Sequence, residues 1–337
     1  MNRTLRTGIL PVIAAVAAIS VAGPAAAKYD MKIGYPTTND PQHDVALRFV
    51  ELVKERTKGE IQGRVFPTSQ LGTVPRQVEG IQLGTQEVFM APPGFLQGVN
   101  PTYQVVDAPG IFASHQHMHR SITDPAFRDR YLMIGEPKGI IGGQIWVYDG
   151  NSYMTTSPIK TLADFQGKKI RVLATQMERQ IVGEFGATGV PIPFTEVVPA
   201  IQQRVVDGAR TSLVVAQRAK FPTVVKHLTI TNGTYIPSGA WFSKVWLDKL
   251  PANFRKIVLD TSAELEQWAS DNAEKYVPGS IEEWKKEGAS VYRFSDAEQK
   301  EYMARIAPLG DELLGKSENA QIREFYSLLK ESAKRNM

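Results

Sequence analysis

Cysteine is absent from the 337-residue chain, which excludes a disulfide framework, a thiol nucleophile and a lipid-modified N-terminal cysteine. No Gly-x-Ser-x-Gly, P-loop or HExxH pattern occurs, so the usual local signatures of serine hydrolases, nucleotide binders and zinc peptidases are missing. Basic residues are spread out rather than clustered, 39 against 35 acidic ones, and nucleic acid is not an expected partner. No apolar run reaches the roughly 20 residues that span a bilayer as a helix. No tandem repeat or low-complexity tract appears.

What is present is an ordinary globular composition, 42% hydrophobic and 22% charged, in a chain long enough for two domains or lobes. Residues 1–27 follow a different logic. Arg3 and Arg6 precede an apolar run from Gly8 to Ala22, then Gly23-Pro24 and Ala25-Ala26-Ala27. This reads as a secretory signal peptide cut before Lys28, with a permanent anchor disfavoured by the shortness of the run. Loss of Arg3 and Arg6 leaves 37 basic against 35 acidic residues, a net of +2. An exported, cysteine-free chain points to the periplasm of a Gram-negative bacterium.

The mature part alternates. Met31 to Tyr35 reads as a strand. Asp40-Pro41 then supplies an N-cap and an N1 proline to a helix carrying Val45, Phe49, Leu52 and Val53 at helical spacing. Ile61 to Phe66 predicts a strand, Gln77 to Leu83 a helix and Glu87 to Ala91 another strand. Such β-α-β-α-β order predicts a mostly parallel sheet whose ligands settle at the carboxyl ends of strands, where Tyr35, Pro92 and Phe95 fall. Each of these is equally a core or turn residue on local grounds. A longer apolar strand, Gly139 to Tyr148, contains Trp146 and is followed at Asp149-Gly150 by a lobe crossing. In the second lobe the pattern predicts helices over Leu162 to Phe165, Met177 to Phe185 and Glu196 to Gln203, and strands over Ile170 to Leu173 and Val205 to Ala209. Trp241 to Val245 reads as a return strand. Leu250-Pro251 opens a helix to about Tyr276, long enough to run across both lobes, and Glu282 to Glu287, Asp296 to Ile306 and Gln321 to Lys334 follow as further helices. The fold class is thus α/β and two-lobed, with a hinge-spanning helix. Residues 28–148 plus 237–276 form lobe I, and 149–236 plus 277–337 form lobe II.

The chain is organised around Gly167-Lys168-Lys169-Ile170-Arg171-Val172, a glycine turn leading into a short strand with one arginine at its centre. A guanidinium meets a carboxylate with a rigid fork of donors, so a strand-mounted Arg171 facing a cleft suits the capture of small organic acids. The competing reading pairs Arg171 with a structural Asp or Glu.

With Arg171 go Pro158-Ile159-Lys160-Thr161-Leu162-Ala163-Asp164-Phe165-Gln166-Gly167 before it and Phe194-Thr195-Glu196-Val197-Val198-Pro199-Ala200-Ile201-Gln202-Gln203 after it. Further matches are Ser69-Gln70-Leu71-Gly72, Glu79 to Gly84, Val205-Val206-Asp207-Gly208 and Leu250-Pro251. Taken together and in order, these resemble the substrate-binding proteins of tripartite ATP-independent periplasmic (TRAP) transporters, dicarboxylate-type branch. The resemblance implies two α/β lobes closing on an organic acid, delivery to membrane permease subunits driven by an ion gradient, and an Arg171 that pairs with the ligand carboxylate. It also shows departures. Thr211 stands where the family commonly has a ligand-holding asparagine, Asn151-Ser152-Tyr153-Met154 replaces a region that often carries a second arginine, and Pro92 stands where some sugar-acid members have an acidic residue.

These departures remove charge and hydrogen-bonding capacity, while Tyr35, Phe95, Phe194 and Trp146 or Trp241 offer aromatic walls, so an aromatic or otherwise apolar monocarboxylate is favoured. Arg171 is expected to orient the carboxylate, with Thr211 and Asn151 donating further hydrogen bonds and Phe194 packing on the ligand body. Tyr35 and Pro92 are expected to close from the first lobe. Phe95, Trp146 and Ser238 complete the ligand-facing set. The alternatives are a C4-dicarboxylate ligand, an ABC importer as partner, or an exported hydrolase. His115-Gln116-His117-Met118-His119 places two imidazoles at i and i+4, but no metal site is expected there. A monomeric binding protein without cofactor, not an enzyme, is the reading carried forward.

Overall fold

The computed structural model describes residues 29–337; the expected signal segment 1–27 lies outside the described residues. In chain order the elements are β1 (Tyr29–Gly34), α1 (Pro41–Arg56), β2 (Ile61–Phe66), α2 (Val74–Leu83), β3 (Val88–Ala91), α3 (His115–Ile122), α4 (Pro125–Tyr131) and β4 (Ile140–Thr155). Then come β5 (Lys169–Val172), α5 (Gln176–Gly183), β6 (Thr188–Pro191), α6 (Val197–Gln202), β7 (Gly208–Ser212), α7 (Leu213–Arg218), β8 (His227–Ser243) and α8 (Lys244–Leu247). The chain ends through α9 (Ala252–Lys286), β9 (Ser290–Arg293), α10 (Asp296–Ile306), α11 (Pro308–Gly310) and α12 (Ala320–Arg335).

The expected alternation is present, and α1 is capped as its sequence directs: Asp40 accepts from His43 N at 3.0 Å with Pro41 at the first position. Val45, Phe49 and Val53 turn to the core. The strands form one sheet in the order β2-β1-β3-β8-β4-β7-β5-β6, with β9 on β8. Two halves are visible within it. β1, β2 and β3 join the ladder where Ile140 to Val147 faces Pro237 to Ser243, while β5, β6 and β7 join where Asn151 to Thr155 pairs with Gly208 to Ser212. β4 and β8 run antiparallel through both halves, with register shifts between Gly142 and Gln144 and between Val147 and Ser152. Irregularities of this kind bend and twist a strand pair, here at the place where the halves meet.

Three expectations are corrected. The strand expected at Val205 to Ala209 begins only at Gly208: Arg204 is left-handed at φ 59° and Val205 is exposed in a turn. Gly208 itself is required by close approach, since a Cβ there would lie 2.1 Å from the Met154 carbonyl oxygen. The return strand expected at Trp241 to Val245 is the end of a much longer β8, whose earlier part carries Thr229, Thr231 and Thr234 and so lacks an apolar signature. The long helix continues through Pro278 to Lys286 rather than stopping near Tyr276, a length of roughly 50 Å at 1.5 Å per residue. Trp284 anchors its extension by donating from Nε1 to Leu213 O at 2.9 Å.

Helix α9 joins the halves by hydrogen bonds as well as by packing. Glu266 Oε1 accepts from Ile145 N and Ser270 Oγ from Val147 N, at 2.8 and 2.9 Å. These serve backbone donors beside the strand irregularity, where a buried N–H without an acceptor is costly. Arg128 holds Glu266 in place through Nε, at 2.8 and 2.9 Å from the two carboxylate oxygens. Burial raises the Glu266 carboxyl to about 7, opposed by the Arg128 charge. The C-terminal helix α12 packs back onto α3 and α4: His117 Nε2 lies 2.8 Å from Ala333 O and Ser332 donates to Ser121 O at 2.6 Å.

A buried charge cluster lies at the seam. Arg210 on β7 donates to Glu178 on α5 and to Thr234 on β8, and Asn151 Nδ2 also reaches Thr234 Oγ1, at 3.0 Å. From the first half, Asp107 is buried with Oδ2 unpartnered. Gly94 brings the preceding loop so close that a Cβ there would sit 2.8 Å from Thr175 Cγ2 and 3.2 Å from Asp107 Oδ2. Burial first, and then the neighbouring Glu178 charge, push the Asp107 carboxyl up to about 8, against the Thr175 hydroxyl and the Arg210 charge.

Glu266→Ala leaves Arg128 Nε and the Ile145 N–H without a partner and is expected to lower stability by about 3 kcal/mol; an unshifted urea midpoint would show that the anchor is dispensable. For Asp107 the folded protein holds its proton to a higher pH than the unfolded chain, so stability falls as pH rises from about 4 to about 8. Asp107→Asn is expected to make that decline shallower in thermal unfolding across the same window. An identical pH slope in parent and variant would assign the decline elsewhere.

Candidate functional site

Strand β5 alternates, with Ile170 and Val172 in one core layer and the Arg171 side chain on the opposite face. There Arg171 is wholly buried. Its Nε donates to Ile192 O at 3.0 Å, and its Cζ lies 5.7 Å from the centre of the Phe194 ring, within the range of a cation–π contact. Nη1 and Nη2 have no hydrogen-bond partner among the described residues. Burial lowers the guanidinium to about 10, with the Glu178 charge partly offsetting this. Two parallel donors on a desolvated cation form the geometry that a carboxylate fills bidentately.

Arg171 lines a partly open cavity between the two halves, about 420 Å³ with the solvent space at its mouth included. From the second half come Leu173, Phe194, Thr211, Ser212, Val215 and Ile236; from the first come Pro36, Thr37, Gln42, Pro92, Phe95 and Tyr148. The structure therefore gathers Arg171, Thr211, Phe194, Pro92 and Phe95 of the expected set around one space. Among the described residues Arg171 is the only charged one on that wall. A wider depression of about 800 Å³ shares Pro36, Thr37, Phe194 and Val215 with it and adds Arg218 and Lys220.

The other four expected residues lie elsewhere, each for a physical reason. Tyr35 turns into the core beneath α1, where its hydroxyl lies 2.8 Å from His43 Nδ1, and the next two residues reach the cavity instead. Asn151 faces Thr234 and joins the Arg210 cluster. Trp146 packs in the core against Tyr148 at 4.5 Å between ring centres, so the residue two positions along the strand lines the cavity in its place. Ser238 stands one step behind the wall, donating to Gln42 Oε1 at 2.6 Å. Trp241 also stays in the core, with Nε1 donating to Ala91 O at 3.0 Å.

Gln42 and Tyr148 are among the wall residues that sequence reasoning missed, with Pro36, Thr37, Leu173, Ser212, Val215 and Ile236. Tyr148 donates to Asp40 Oδ2 at 2.8 Å, and burial raises the Asp40 carboxyl. Both residues follow signals visible in the chain: Gln42 sits directly after the Asp40-Pro41 helix start, and Tyr148 ends the apolar run before Asp149-Gly150. Asp149 caps the second lobe's counterpart, accepting from Leu213 N at 3.1 Å at the start of α7. The histidine cluster is dispersed over three partners. His115 Nε2 lies 2.9 Å from Tyr148 O, His117 Nε2 2.8 Å from Ala333 O, and His119 Nδ1 2.8 Å from Ser270 Oγ.

Comparison with known proteins agrees with a two-lobed α/β solute receptor. The model of the bacterial extracellular solute-binding proteins, family 7, matches residues 34–316. A TRAP periplasmic solute-binding protein from Desulfovibrio salexigens, solved with bound orotic acid, superposes with a TM-score of 0.87 at 28% identity, covering 92% of this chain and all of that one. The 2,3-diketo-L-gulonate-binding periplasmic protein of Escherichia coli is 29% identical over 90% of this chain and 94% of its own length. The C4-dicarboxylate-binding periplasmic protein of Rhodobacter capsulatus is 27% identical over 81% and 82%. Among the described residues no helix is long and apolar enough to cross a membrane. The chain belongs to family 7 of the bacterial extracellular solute-binding proteins, the solute receptors of TRAP transporters.

Proposed function

We propose that this receptor works in the periplasm and captures a small monocarboxylic acid with a flat, largely apolar body, passing it to TRAP permease subunits. The observation that carries the reading is the buried Arg171 with both terminal amino groups unpartnered on a cavity wall. A carboxylate there completes the fork and neutralises a desolvated cation. A C4-dicarboxylate would bring a second charge, and no other cation stands on that wall. Polyhydroxylated acids would find few partners among Pro92, Phe95, Leu173, Phe194, Val215 and Ile236, and each unmatched hydroxyl costs about 1 to 3 kcal/mol. The ligand of the Desulfovibrio relative, orotic acid, has the proportions in question, one carboxylate on a planar ring.

Binding then proceeds by lobe closure. In the open form Arg171 is hydrated and Arg218 with Lys220 at the approach raises the local concentration of anions. Closure desolvates the ion pair and adds the contacts of Pro92 and Phe95, so the acid favours the closed form by its better interactions there. Thr211, at the wall beside Arg171, supplies a further hydrogen bond. The hinge is the crossing of β4 and β8 under α9, dividing 28–148 plus 237–276 from 149–236 plus 277–337, with α12 folded back onto the first lobe. No bond is made or broken.

Arg171→Ala is expected to weaken binding by about 3 to 5 kcal/mol, about two to four decades in dissociation constant, whereas Thr211→Asn matters much less; isothermal calorimetry reads both. In a thermal-shift panel, an acid at about 100 times its dissociation constant contributes about 2.7 kcal/mol. Stabilisation by C4-dicarboxylates or sugar acids alone would overturn the apolar-body reading, and undiminished binding by Arg171→Ala would remove the anchor.

A further inference from the structure

Gln42 is almost fully buried at the start of α1, on the first lobe's side of the cavity. Its amide is held from two sides. Nε2 donates to Met90 O on β3 at 3.0 Å, and Oε1 accepts the Ser238 hydroxyl of β8 at 2.6 Å. The opposite orientation would set Oε1 against the Met90 carbonyl, acceptor to acceptor, so chemistry fixes the amide. A primary amide has two N–H donors. One is spent on Met90, and Nε2 has no second acceptor among the described residues.

The first lobe thus presents a rigid, neutral donor to the same cavity as the Arg171 fork, which Pro92, Phe95, Phe194 and Val215 also line. A ligand whose far end is purely apolar leaves that N–H buried without an acceptor. A second carboxylate would meet an amide and no cation. We propose that Gln42 determines specificity from the first lobe, so that the recognised acids carry a neutral hydrogen-bond acceptor, a ring carbonyl or hydroxyl oxygen, at the end remote from the carboxylate. Ser238 is then a positioning residue, acting through Gln42. This rests on the reading of the cavity as a monocarboxylate site anchored by Arg171.

The test is calorimetry of four acids on the purified protein: orotate and 4-hydroxybenzoate, which carry a distal acceptor, against benzoate and 4-methylbenzoate, which do not. The acceptor-bearing pair is expected to bind about tenfold tighter or more. Gln42→Met, similar in length but without the donor, is expected to bring that ratio close to one while binding stays dependent on Arg171. Ser238→Ala is expected to reduce the ratio by a smaller factor. Equal affinities in the parent, or a Gln42→Met variant that weakens all four acids in proportion, would overturn the proposal. The underlying reading fails differently: either no acid of the panel binds, or Arg171→Ala leaves all four affinities unchanged.

Discussion

Burying a guanidinium with both terminal amino groups unpaired is costly, and in this fold the cost is concentrated at Arg171. Every neighbour is placed to make the position tolerable and useful at once. Ile192 O accepts from Nε and Phe194 lies against the cation, while among the described residues no carboxylate forms an ion pair with the fork. Had Glu178 closed on Arg171 rather than on Arg210, the fork would be a structural ion pair. In the function proposed above, the charge left over on the wall is what an anion would neutralise.

The proposed capture by closure calls for a frame that opens at one place. β4 and β8 carry the sheet through both halves, and their register breaks where the halves meet. Ladder bonds lost there are taken over by Glu266 and Ser270 of α9, so the crossing stays satisfied while remaining irregular. A regular ladder would have been stiffer, and an unsatisfied one unstable. The long helix is tied to Arg128 on one side and to Leu213 on the other, and so links the two halves.

The charge cluster beside the cavity shows how a motif position can keep its place and change its partner. Arg210 stands next to Thr211 in the strand after Val205-Val206-Asp207-Gly208, yet its side chain leaves by the other face and neutralises Glu178. Thr211 alone of the pair reaches the cavity. The arginine introduced by the sequence therefore adds no charge to the ligand's surroundings, and the polarity of the site follows Thr211, Gln42 and the apolar wall.

The chain by itself determined the β-α order of the first lobe, the Asp40-Pro41 start of α1, the strand bearing Arg171 and the family, because periodicity, capping and motif order are local properties of neighbouring residues. It also brought Arg171, Thr211, Phe194, Pro92 and Phe95 forward as candidates, since strand ends and motif positions can be read along the sequence. Tertiary structure decided which of the neighbouring residues reaches the cavity: Thr37 rather than Tyr35 and Tyr148 rather than Trp146, each two positions along, and Gln42 rather than the Ser238 behind it. It likewise decided the length of β8 and the passage of α9 through Pro278. Those choices depend on strand register and on hydrogen bonds between residues far apart in the chain, such as Ser238 with Gln42 and Glu266 with Ile145, and a one-residue change of register exchanges the two faces of a strand.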